Sequence, residues 1–422
     1  MFNRYRCRSA ILMGLSAAAI AAFALVSPQA LAADPLRIGF SISATGPTSP
    51  AGKQVLAGLE IWRSDVNARG GLLGRPVEFV YYDDQGSPAN APGIYAKLMS
   101  VDKVDLLIGP YSTNVIAATM PAIIQANRTT IGIFGLGANK EFKYPRYFSM
   151  NSQGPDTGNY SKCVFDLAAQ QNPKPLRVAL IGADVEYSRN ALDGARANAK
   201  KHGMEIVFDR SYPPSTTEFT SVVRAMQAAN PDVVFAATLP IDTAGIIRAA
   251  NEIQFKPKII GGAMLGLLVT GIKQQLGPMI NGYISNEFYI PAPSLQFTGT
   301  AQMMAEYQKR AKDLGLDPLG YTYPPYAYAA GQILEKAVTA TKSLNDETLA
   351  KYLASNNFDT VIGPISFGPD GEWKSPRIIC IQFKDVTGGE LSQFTDWSRQ
   401  VVVYPPEFKA GELIYPFEKA AK

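Results

Sequence analysis

Residues 36–84 decide the fold class of this chain, and they read LRIGFSISATGPTSPAGKQVLAGLEIWRSDVNARGGLLGRPVEFVYYDD. Two apolar runs of strand length, at residues 36–43 and 77–84, enclose a helical pattern over residues 54–68 that ends in two glycines. A strand, a helix and a second strand in this order predict a parallel βαβ unit, in which the helix covers one face of the sheet.

The same alternation continues along the chain and then starts a second time. Strand-like runs follow at residues 104–109 and 129–135, and Pro-Leu-Arg-Val at residues 175–178 resembles Pro-Leu-Arg-Ile at residues 35–38. The four-residue likeness is weak by itself, but the order of strands and helices after residue 175 repeats the first series. The chain is therefore predicted to form two open α/β sheets, each covered by helices.

The last third of the chain has too few strand-like runs for a third series. Helices are predicted at residues 299–314, 326–342 and 346–356, and a hairpin-like stretch follows over residues 361–383, with a turn at Pro369–Gly371. We expect these elements to complete the two sheets already begun.

The first 33 residues differ in composition from the rest. Three arginines, at positions 4, 6 and 8, precede an uncharged run of 16 residues at 11–26, and the small residues of Ala30-Leu31-Ala32 follow. This is the layout of a secretory signal peptide. A membrane-spanning helix needs about 20 apolar residues, more than this run supplies. We predict cleavage after Ala32 or Ala33 and export of the mature protein.

Charge and cysteine content limit the possible partners. The formal net charge is +4, and removal of residues 1–33, which hold three arginines and no acidic residue, lowers it to +1. A near-neutral chain without a basic stripe argues against nucleic-acid binding. Beyond the signal segment two cysteines remain, Cys163 and Cys380. They can form a disulfide or stay as buried free thiols, and the sequence leaves both possibilities open.

Motifs for cofactor binding and catalysis are incomplete. In GPTSPAGK (residues 46–53) five residues separate the glycines and Gln54 follows the lysine, which does not fit a phosphate-binding loop. The loop that begins Gly135-Leu136-Gly137 has Lys140 where a dinucleotide-binding loop needs its third glycine. The single histidine, His202, is predicted to be a solvated helix end. We expect no enzyme, no cofactor and no metal site, although carboxylate-only catalysis is not excluded by residue inventory.

Seven short motifs, spread between about Leu36 and Asp385, carry a family resemblance through their order and spacing. They are TGPTSPAG (45–52), VNARGGLLGRPVEFVYYDD (66–84), KLMSVDKVDLLIGPYST (97–113), VALIGADVEYS (178–188), YPPSTTEFTSVV (212–223), ANPDVVFAA (229–237) and GPISFGPDGEW (363–373).

With these motifs the chain resembles the periplasmic solute-binding proteins of ABC transporters, specifically the type I family of the leucine/isoleucine/valine-binding proteins. The resemblance implies two Rossmann-like lobes with parallel central sheets, joined by a three-strand hinge. It implies lobe 1 at residues 34–153 and 286–365, lobe 2 at residues 154–285 and 366–422, and hinges near Asn151–Gly154, Asn286 and Ile365. Asp83 and Asp84, which end the second strand, are expected to accept hydrogen bonds from amides of the next loop.

The resemblance also implies a function. A monomer in the periplasm would capture a small molecule by hinge closure and deliver it to an ABC transporter permease in the inner membrane. A periplasmic sensor that presents its ligand to a membrane receptor is an alternative, because the same fold serves both purposes. An enzyme is a more distant possibility.

The ligand is expected beyond the carboxyl ends of the strands, in the cleft between the lobes. Residues 109–113 join a predicted strand to a helix, so Ser112 or Thr113 is expected to cap that helix while free amides face the cleft. From the strand ends and the resemblance together, the predicted ligand contacts are Tyr111, Ser112, Thr113, Gly135, Leu136, Gly137, Asn139, Tyr187, Leu239, Met264 and Phe288.

The resemblance breaks down where amino-acid binders hold the ligand's ammonium group. They place an acidic side chain near the position of Gly262–Met264, but this chain has GGAML at residues 261–265. A buried ammonium without a partner is costly. We therefore expect a carboxylate or an amide that lacks an α-ammonium, and regard a branched-chain amino acid as less favoured. Aromatic residues predicted near the cleft are consistent with an aromatic ligand; they are Tyr111, Phe134, Tyr187, Phe288 and Tyr289.

Overall fold

A parallel five-stranded sheet forms the first half of the fold. The computed structural model describes residues 34–420. The strands of this sheet, all parallel, lie in the order β2-β1-β3-β4-β5, and helices follow the first three of them. The elements are β1 (Leu36–Ile42), α1 (Ser49–Ala68), β2 (Val77–Asp83), α2 (Ala91–Ser100), β3 (Leu106–Tyr111), α3 (Thr113–Gln125), β4 (Thr130–Ile133) and β5 (Tyr147–Ser149).

A second sheet of seven strands is built mainly from the middle of the chain. Its central strands are parallel and alternate with helices, as the sequence predicts. The elements are α4 (Asn159–Ala169), β6 (Arg177–Ala183), α5 (Glu186–Lys201), β7 (Glu205–Tyr212), α6 (Thr220–Ala228), β8 (Val233–Thr238), α7 (Pro240–Glu252), β9 (Ile259–Met264), α8 (Thr270–Leu276) and β10 (Ile284–Glu287).

The last third of the chain supplies pieces to both halves. Its final two strands pair antiparallel and extend the second sheet to the order β14-β13-β10-β9-β8-β6-β7. The α/β class with parallel central sheets is thus confirmed. The elements are α9 (Thr300–Leu314), α10 (Tyr323–Thr341), α11 (Asp346–Ser355), β11 (Asn357–Thr360), β12 (Gly363–Ser366), β13 (Ile379–Phe383), α12 (Ser392–Thr395), β14 (Gln400–Tyr404) and α13 (Phe417–Ala420).

The predicted hairpin was wrong in position. The observed hairpin joins β11 to β12 through Val361 and Ile362, whereas Pro369–Gly371 forms a turn inside a single bridge between Phe367 and Trp373. Strand β13, which the sequence placed in the same hairpin, belongs to the second sheet. Proline and glycine marked a real turn, but the partner of each flanking segment is remote in sequence.

Helix α10 packs against α1 over the first sheet, and the side chain of Trp62 fills the contact. Trp62 is fully buried, and its Nε1 donates a hydrogen bond of 3.0 Å to Glu335 on α10. A Cβ atom on Gly331 would lie 2.2 Å from the indole ring, so this position accommodates only glycine. The close contact attaches α10, which follows the return of the chain from the second sheet, to the first sheet.

The chain passes between the two sheets after β5, after β10 and between β12 and β13. Two of these segments run side by side, because the amide of Arg377 donates to the carbonyl of Ser152 at 2.7 Å. At Gly154, where φ is +69°, a Cβ atom would lie 2.8 Å from the carbonyl oxygen of Trp373. The lobe limits and hinge positions given above stay predictions; Asn286 lies within β10 and Ile365 within β12.

Asp83 and Asp84 accept hydrogen bonds from amides of the next loop, as predicted, and they also hold the loop that follows β1. The Asp84 carboxylate accepts hydrogen bonds from the hydroxyls of Ser41 and Ser43, at 2.6 and 2.8 Å, and from the amide of Gly86. Asp83 accepts from the amides at 44, 45 and 85 and from the Thr45 hydroxyl. Partial burial alone would raise the pKa of Asp83, but these hydrogen bonds together lower it below its ordinary value.

His202 ends α5, as predicted, but its side chain is not solvated. The ring Nε2 lies 3.0 Å from Asp166 on α4, and the side chain is 18% exposed. That part of the prediction was wrong because sequence spacing does not reveal a partner on a neighbouring helix.

A disulfide joins Cys163 on α4 to Cys380 on β13, which settles the alternative that the sequence left open. Both residues are buried and their Cα atoms are 6.4 Å apart. The bond closes a loop with a sequence separation of 217 residues. It connects α4, which follows the first passage of the chain between the sheets, to β13, which follows the last passage.

We expect reduction of this disulfide to lower stability by roughly 2–5 kcal/mol, because a cross-link between remote residues restricts the unfolded chain. Thermal unfolding with and without a reductant measures the effect. The double variant C163A/C380A should melt at a lower temperature than the oxidised wild type and should not respond to the reductant. An unchanged melting temperature of the wild type after verified reduction would contradict this expectation.

Candidate functional site

A pocket lies between the two sheets, at the carboxyl ends of their parallel strands. Its empty space is about 530 Å³, a figure that includes a part open to solvent. Its wall comes from both halves of the fold. The lining residues are Thr48, Tyr111, Ser112, Thr113, Asn114, Phe134, Asn151, Tyr160, Tyr187, Leu239, Pro240, Leu265, Leu268, Phe288 and Tyr323.

The start of α3 forms one polar side of the pocket. Ser112 occupies the N-cap position with φ at +80°, a conformation that is uncommon for residues other than glycine. The predicted capping bond is absent, since no side chain in the described part of the chain caps this helix. The first amides of a helix lack intrahelical partners and carry a partial positive charge. This corner therefore offers backbone donors to an anionic or carbonyl oxygen.

Hydrogen bonds across the cleft hold the two halves together beside the pocket. Asn114 Oδ1 at the start of α3 accepts from the amide of Tyr187 at the start of α5, at 3.0 Å. Asn190 Nδ2, one turn further along α5, donates to the carbonyl of Leu136 at 2.7 Å. Because each bond joins one sheet's corner to the other's, the structure represents a closed arrangement of the cleft.

Phe134 is the centre of an aromatic cluster in the pocket wall. Its ring centroid lies 4.9 Å from that of Phe288 and 5.3 Å from that of Tyr323, both with edge-to-face geometry. Tyr111 contacts the same ring at 6.5 Å. Such contacts stabilise by about 0.5–1.5 kcal/mol each beyond simple burial, so the shape of this wall is well fixed.

Four tyrosines line the pocket, and all of them are neutral. Burial raises the pKa of Tyr111 to about 12, and it also raises the pKa values of Tyr160, Tyr187 and Tyr323. The Tyr187 hydroxyl donates to the carbonyl of Ala263 at 3.0 Å. The Tyr187 hydroxyl also lies 3.3 Å from the Tyr160 hydroxyl. The phenols therefore bring no negative charge to the pocket at neutral pH, and the Tyr187 proton is used within the protein.

No Asp, Glu, Lys or Arg is among the lining residues within 34–420. A buried carboxyl, Glu287, ends β10 directly before Phe288, and it accepts a hydrogen bond from the Ser285 hydroxyl at 3.5 Å. Burial raises its pKa to about 7, against the opposing effects of the Lys273 charge and of Ser285. A ligand in the pocket thus meets hydroxyls, amides and rings, with no charged side chain in direct contact.

The structure places the predicted contacts in two groups. Six of them line the pocket: Tyr111, Ser112, Thr113, Tyr187, Leu239 and Phe288. Five do not: Gly135, Leu136, Gly137, Asn139 and Met264.

Local packing explains the second group. From the corner after β4, the side chain that reaches the pocket is Phe134, because Leu136 turns into the core and its amide donates to Thr113 Oγ1 at 3.0 Å. The Asn139 side chain bonds to the backbone of Tyr144 and Asp370. The residue after Met264, Leu265, takes the place that the sequence assigned to the methionine.

Several pocket residues escaped the prediction. Tyr160 comes from α4 and Tyr323 from the start of α10, elements that lie far from the strand-to-helix corners in sequence. Thr48 and Asn114 lie in or beside predicted strand-to-helix corners, which the sequence pattern indicates. Nothing in the sequence showed that their side chains face the cleft.

The fold and the pocket agree with what is known of related proteins. A sequence profile described as "Periplasmic binding protein" matches residues 35–379. The chain belongs to the periplasmic binding protein family. Periplasmic binding proteins of this kind are extracytoplasmic solute-binding proteins of ABC transport systems and not enzymes.

Individual relatives of this periplasmic binding protein are distant but extend over most of its length. The "Leu/Ile/Val-binding protein homolog 1" of Brucella suis biovar 1 is 24% identical over 394 residues, which is 91% of this chain and 99% of the relative. A leucine binding protein from Thermotoga maritima superposes with a TM-score of 0.71 at 17% identity, over 83% of this chain and 96% of that chain. An ABC transporter solute binding protein from R. palustris, solved with benzoate, gives a TM-score of 0.71 at 19% identity. The superposition covers 84% of this chain and 94% of that chain.

The described residues, 34–420, contain neither a membrane-spanning helix nor a metal-binding cluster. None of their helices is both long and apolar enough to cross a bilayer. Within the same part of this periplasmic binding protein, no group of three or more His, Cys, Asp or Glu side chains has the arrangement of a metal site.

We expect Glu287→Gln to stabilise the protein increasingly as pH rises. Because the folded-state pKa of Glu287 is about 7 and its ordinary value is 4.5, the folded state binds its proton more tightly, and stability falls between these pH values. Above pH 7 the full loss is on the order of 3 kcal/mol, which glutamine avoids. Thermal unfolding of both proteins from pH 4.5 to 8 measures the difference.

The exposed residue Glu252 at the end of α7 provides a matched control. The melting temperature of E252Q should equal that of the wild type at every pH. A melting difference between E287Q and the wild type that stays constant from pH 4.5 to 8 would show that Glu287 does not change its proton affinity on folding.

Proposed function

We propose that this periplasmic binding protein captures a small carboxylate, or an amide, that lacks an ammonium group, and delivers it to the permease of an ABC importer. One observation carries the proposal: the pocket between the two sheets has free amides at the start of α3 and hydroxyl side chains in a largely apolar wall, and no charged side chain among its described lining residues. Backbone amides at the start of α3 and neutral phenol hydroxyls suit an acceptor such as a carboxylate or an amide carbonyl.

The same wall disfavours an α-amino acid. An ammonium group enclosed here would lose its water without meeting a carboxylate in direct contact, which costs several kcal/mol. Two acceptors beside the pocket are already engaged: Asn114 Oδ1 accepts from Tyr187, and the Ala263 carbonyl accepts from the Tyr187 hydroxyl. A neutral hydroxyl such as that of Thr48 can accept a hydrogen bond but does not neutralise an ammonium charge.

The aromatic cluster supports a planar, apolar body for the ligand. Phe134, Phe288, Tyr111 and Tyr323 present ring edges and faces to the pocket, to which another ring can add in the same edge-to-face manner. Among structural relatives, one is described as a leucine binding protein and another was solved with benzoate. The uncharged wall of this chain suits the second ligand better than the first.

Hinge closure supplies the signal for delivery. A ligand that contacts both lobes stabilises the closed state, and a permease that recognises that state receives only loaded protein. The cross-cleft bonds from Asn114 and Asn190 add to this closed state. We further propose that residues 1–33, which lie outside the described residues, are a cleaved signal peptide and that the mature protein acts as a monomer in the periplasm.

A calorimetric ligand panel tests the ligand class. We expect benzoate, cyclohexanecarboxylate or benzamide to bind, and leucine, isoleucine and benzylamine to bind at least about 30-fold more weakly, because an unpaired buried ammonium costs about 2–3 kcal/mol. Tight binding of leucine or isoleucine together with no binding of any amine-free acid or amide would refute the proposed class.

Uptake measurements test delivery to a permease. Cells that lack the gene should accumulate the bound compound more slowly, and the wild-type gene should restore uptake. The variant N114A loses a cross-cleft hydrogen bond worth about 1 kcal/mol, so it should bind about fivefold more weakly and restore uptake only in part. The matched control N251A, at an exposed position, should behave as wild type.

Normal uptake in the deletion strain, combined with loss of a cellular response to the compound, would contradict the proposed role in transport. That result would indicate instead that the protein presents its ligand to a membrane receptor.

A further inference from the structure

A second pocket lies beside two of the segments by which the chain passes between the sheets. Its empty space is about 800 Å³, a figure that includes a part open to solvent. It shares no lining residue with the pocket in the cleft, so a molecule bound here is separate from the cleft ligand. The lining residues of this second pocket are Gly137, Asn139, Lys140, Lys143, Pro155, Pro369, Asp370 and Glu372.

Glu372 places a buried carboxyl without a partner in this wall. The residue is 5% exposed, and neither carboxyl oxygen makes a hydrogen bond with any residue in the range 34–420. The hydroxyl of Ser149 lies nearby, but it donates to the carbonyl of Gly135 at 3.4 Å. Burial, with a smaller contribution from the charge of Asp370, raises the pKa of Glu372 to about 8 against the effect of Ser149. A buried carboxylate is costly unless it is paired, so this one lacks a cation.

The backbone on both sides of Glu372 fixes the position of its carboxyl. The Glu372 amide donates to Asp370 Oδ1 at 3.1 Å, and the Ser149 amide on β5 donates to the carbonyl of Gly371 at 2.8 Å. A Cβ atom on Gly371 would lie 1.8 Å from the carbonyl oxygen of Tyr147, so the turn packs directly on β5. Glu372 therefore cannot turn to solvent unless this turn leaves the sheet.

Two lysines give the same pocket the opposite charge on its exposed side. Lys140 and Lys143 line it from the loop after β4, and neither ammonium group forms a hydrogen bond or an ion pair with a residue of the described range, 34–420. The side chain of Asn139 holds this loop against the turn, because its Nδ2 donates to the carbonyl of Asp370 at 3.1 Å. The lysine charges do not shift the pKa of Glu372, so they lie away from its carboxyl.

We propose that the second pocket binds a small linear zwitterion, with its ammonium group against Glu372 and its carboxylate towards Lys140 and Lys143. An ammonium group supplies the charge and the hydrogen-bond donors that the Glu372 carboxyl lacks. An amine without a carboxylate would leave the lysine charges unpaired and would be repelled by them. The inference does not rest on the proposed function, because the cleft takes no part in it.

Calorimetric titration of the wild type and Glu372→Gln at pH 8 tests the inference. The probes glycine, β-alanine, 4-aminobutyrate and 6-aminohexanoate differ in the separation of their two charges, whereas butylamine and butyrate carry one charge each. We expect the wild type to bind at least one zwitterion about tenfold more tightly than either singly charged probe. E372Q should bind that zwitterion about tenfold more weakly, because a hydrogen bond between two charged groups is lost.

Three variants separate this site from the rest of the protein. E372Q keeps the shape of the side chain and removes a buried ionisable group, so its melting temperature should not fall. Glu141 is exposed and lies outside the pocket lining, so E141Q should bind the zwitterion as the wild type does. The double variant K140A/K143A should bind it about threefold more weakly, because solvent screens the exposed ammonium groups.

Three results would overturn the inference. They are failure of all four zwitterions to bind, equally tight binding of butylamine, and an unchanged affinity for the zwitterion in folded E372Q. The last result would show that the zwitterion binds elsewhere on the protein.

Discussion

Parallel strands place every strand-to-helix corner at the same edge of a sheet, and this constraint governs the whole molecule. The chain builds two such sheets and brings their carboxyl edges together, so that corners after β3, β4, β8 and β9 meet around one pocket. Backbone donors at the start of α3 and side chains from both edges then converge without any long loop. The position of the site follows from topology, and its chemistry from the residues at those corners.

Closure of the pocket depends on few polar contacts. Asn114 and Asn190 each join one lobe's corner to the other's by a single hydrogen bond, and the remaining contacts around the ligand space are rings and hydroxyls. Beside them, Asp83 and Asp84 hold the loop after β1, from which Thr48 reaches the pocket. A rigid wall in each lobe, joined by weak links across the cleft, is suited to opening and closing without loss of the site's shape.

Much of the fold could be predicted from the sequence because its main signals are local. Apolar runs such as residues 177–182 and helix ends such as His202 depend on neighbours within a few residues, and the structure contains these elements with small shifts in their limits. The errors concern remote partners. The hairpin expected around Pro369 failed because β13 pairs with β10, and β14, for which no strand was predicted, completes the second sheet.

In the site, too, the residues that could be predicted depend on local sequence and those that were missed depend on remote contacts. Residues at the corners themselves, such as Ser112 and Tyr187, are indicated by the pattern of strand followed by helix. Tyr323 and Tyr160 reach the pocket because the chain crosses between the sheets, which brings α10 and α4 to the cleft. No local pattern encodes that approach. Whether a corner side chain points to the cleft, as Phe134 does, or into the core, as Leu136 does, depends on backbone angles that composition does not specify.

The disulfide has a further consequence for the integrity of the chain. The segment between Cys163 and Cys380 leaves the second sheet after β10, supplies α9, α10, α11 and the hairpin β11–β12, and returns at β13. This whole excursion forms a covalent ring. A protease that cuts the ring once, at any exposed turn, produces two polypeptides that remain bonded to each other, so a nicked molecule keeps both lobes in one particle.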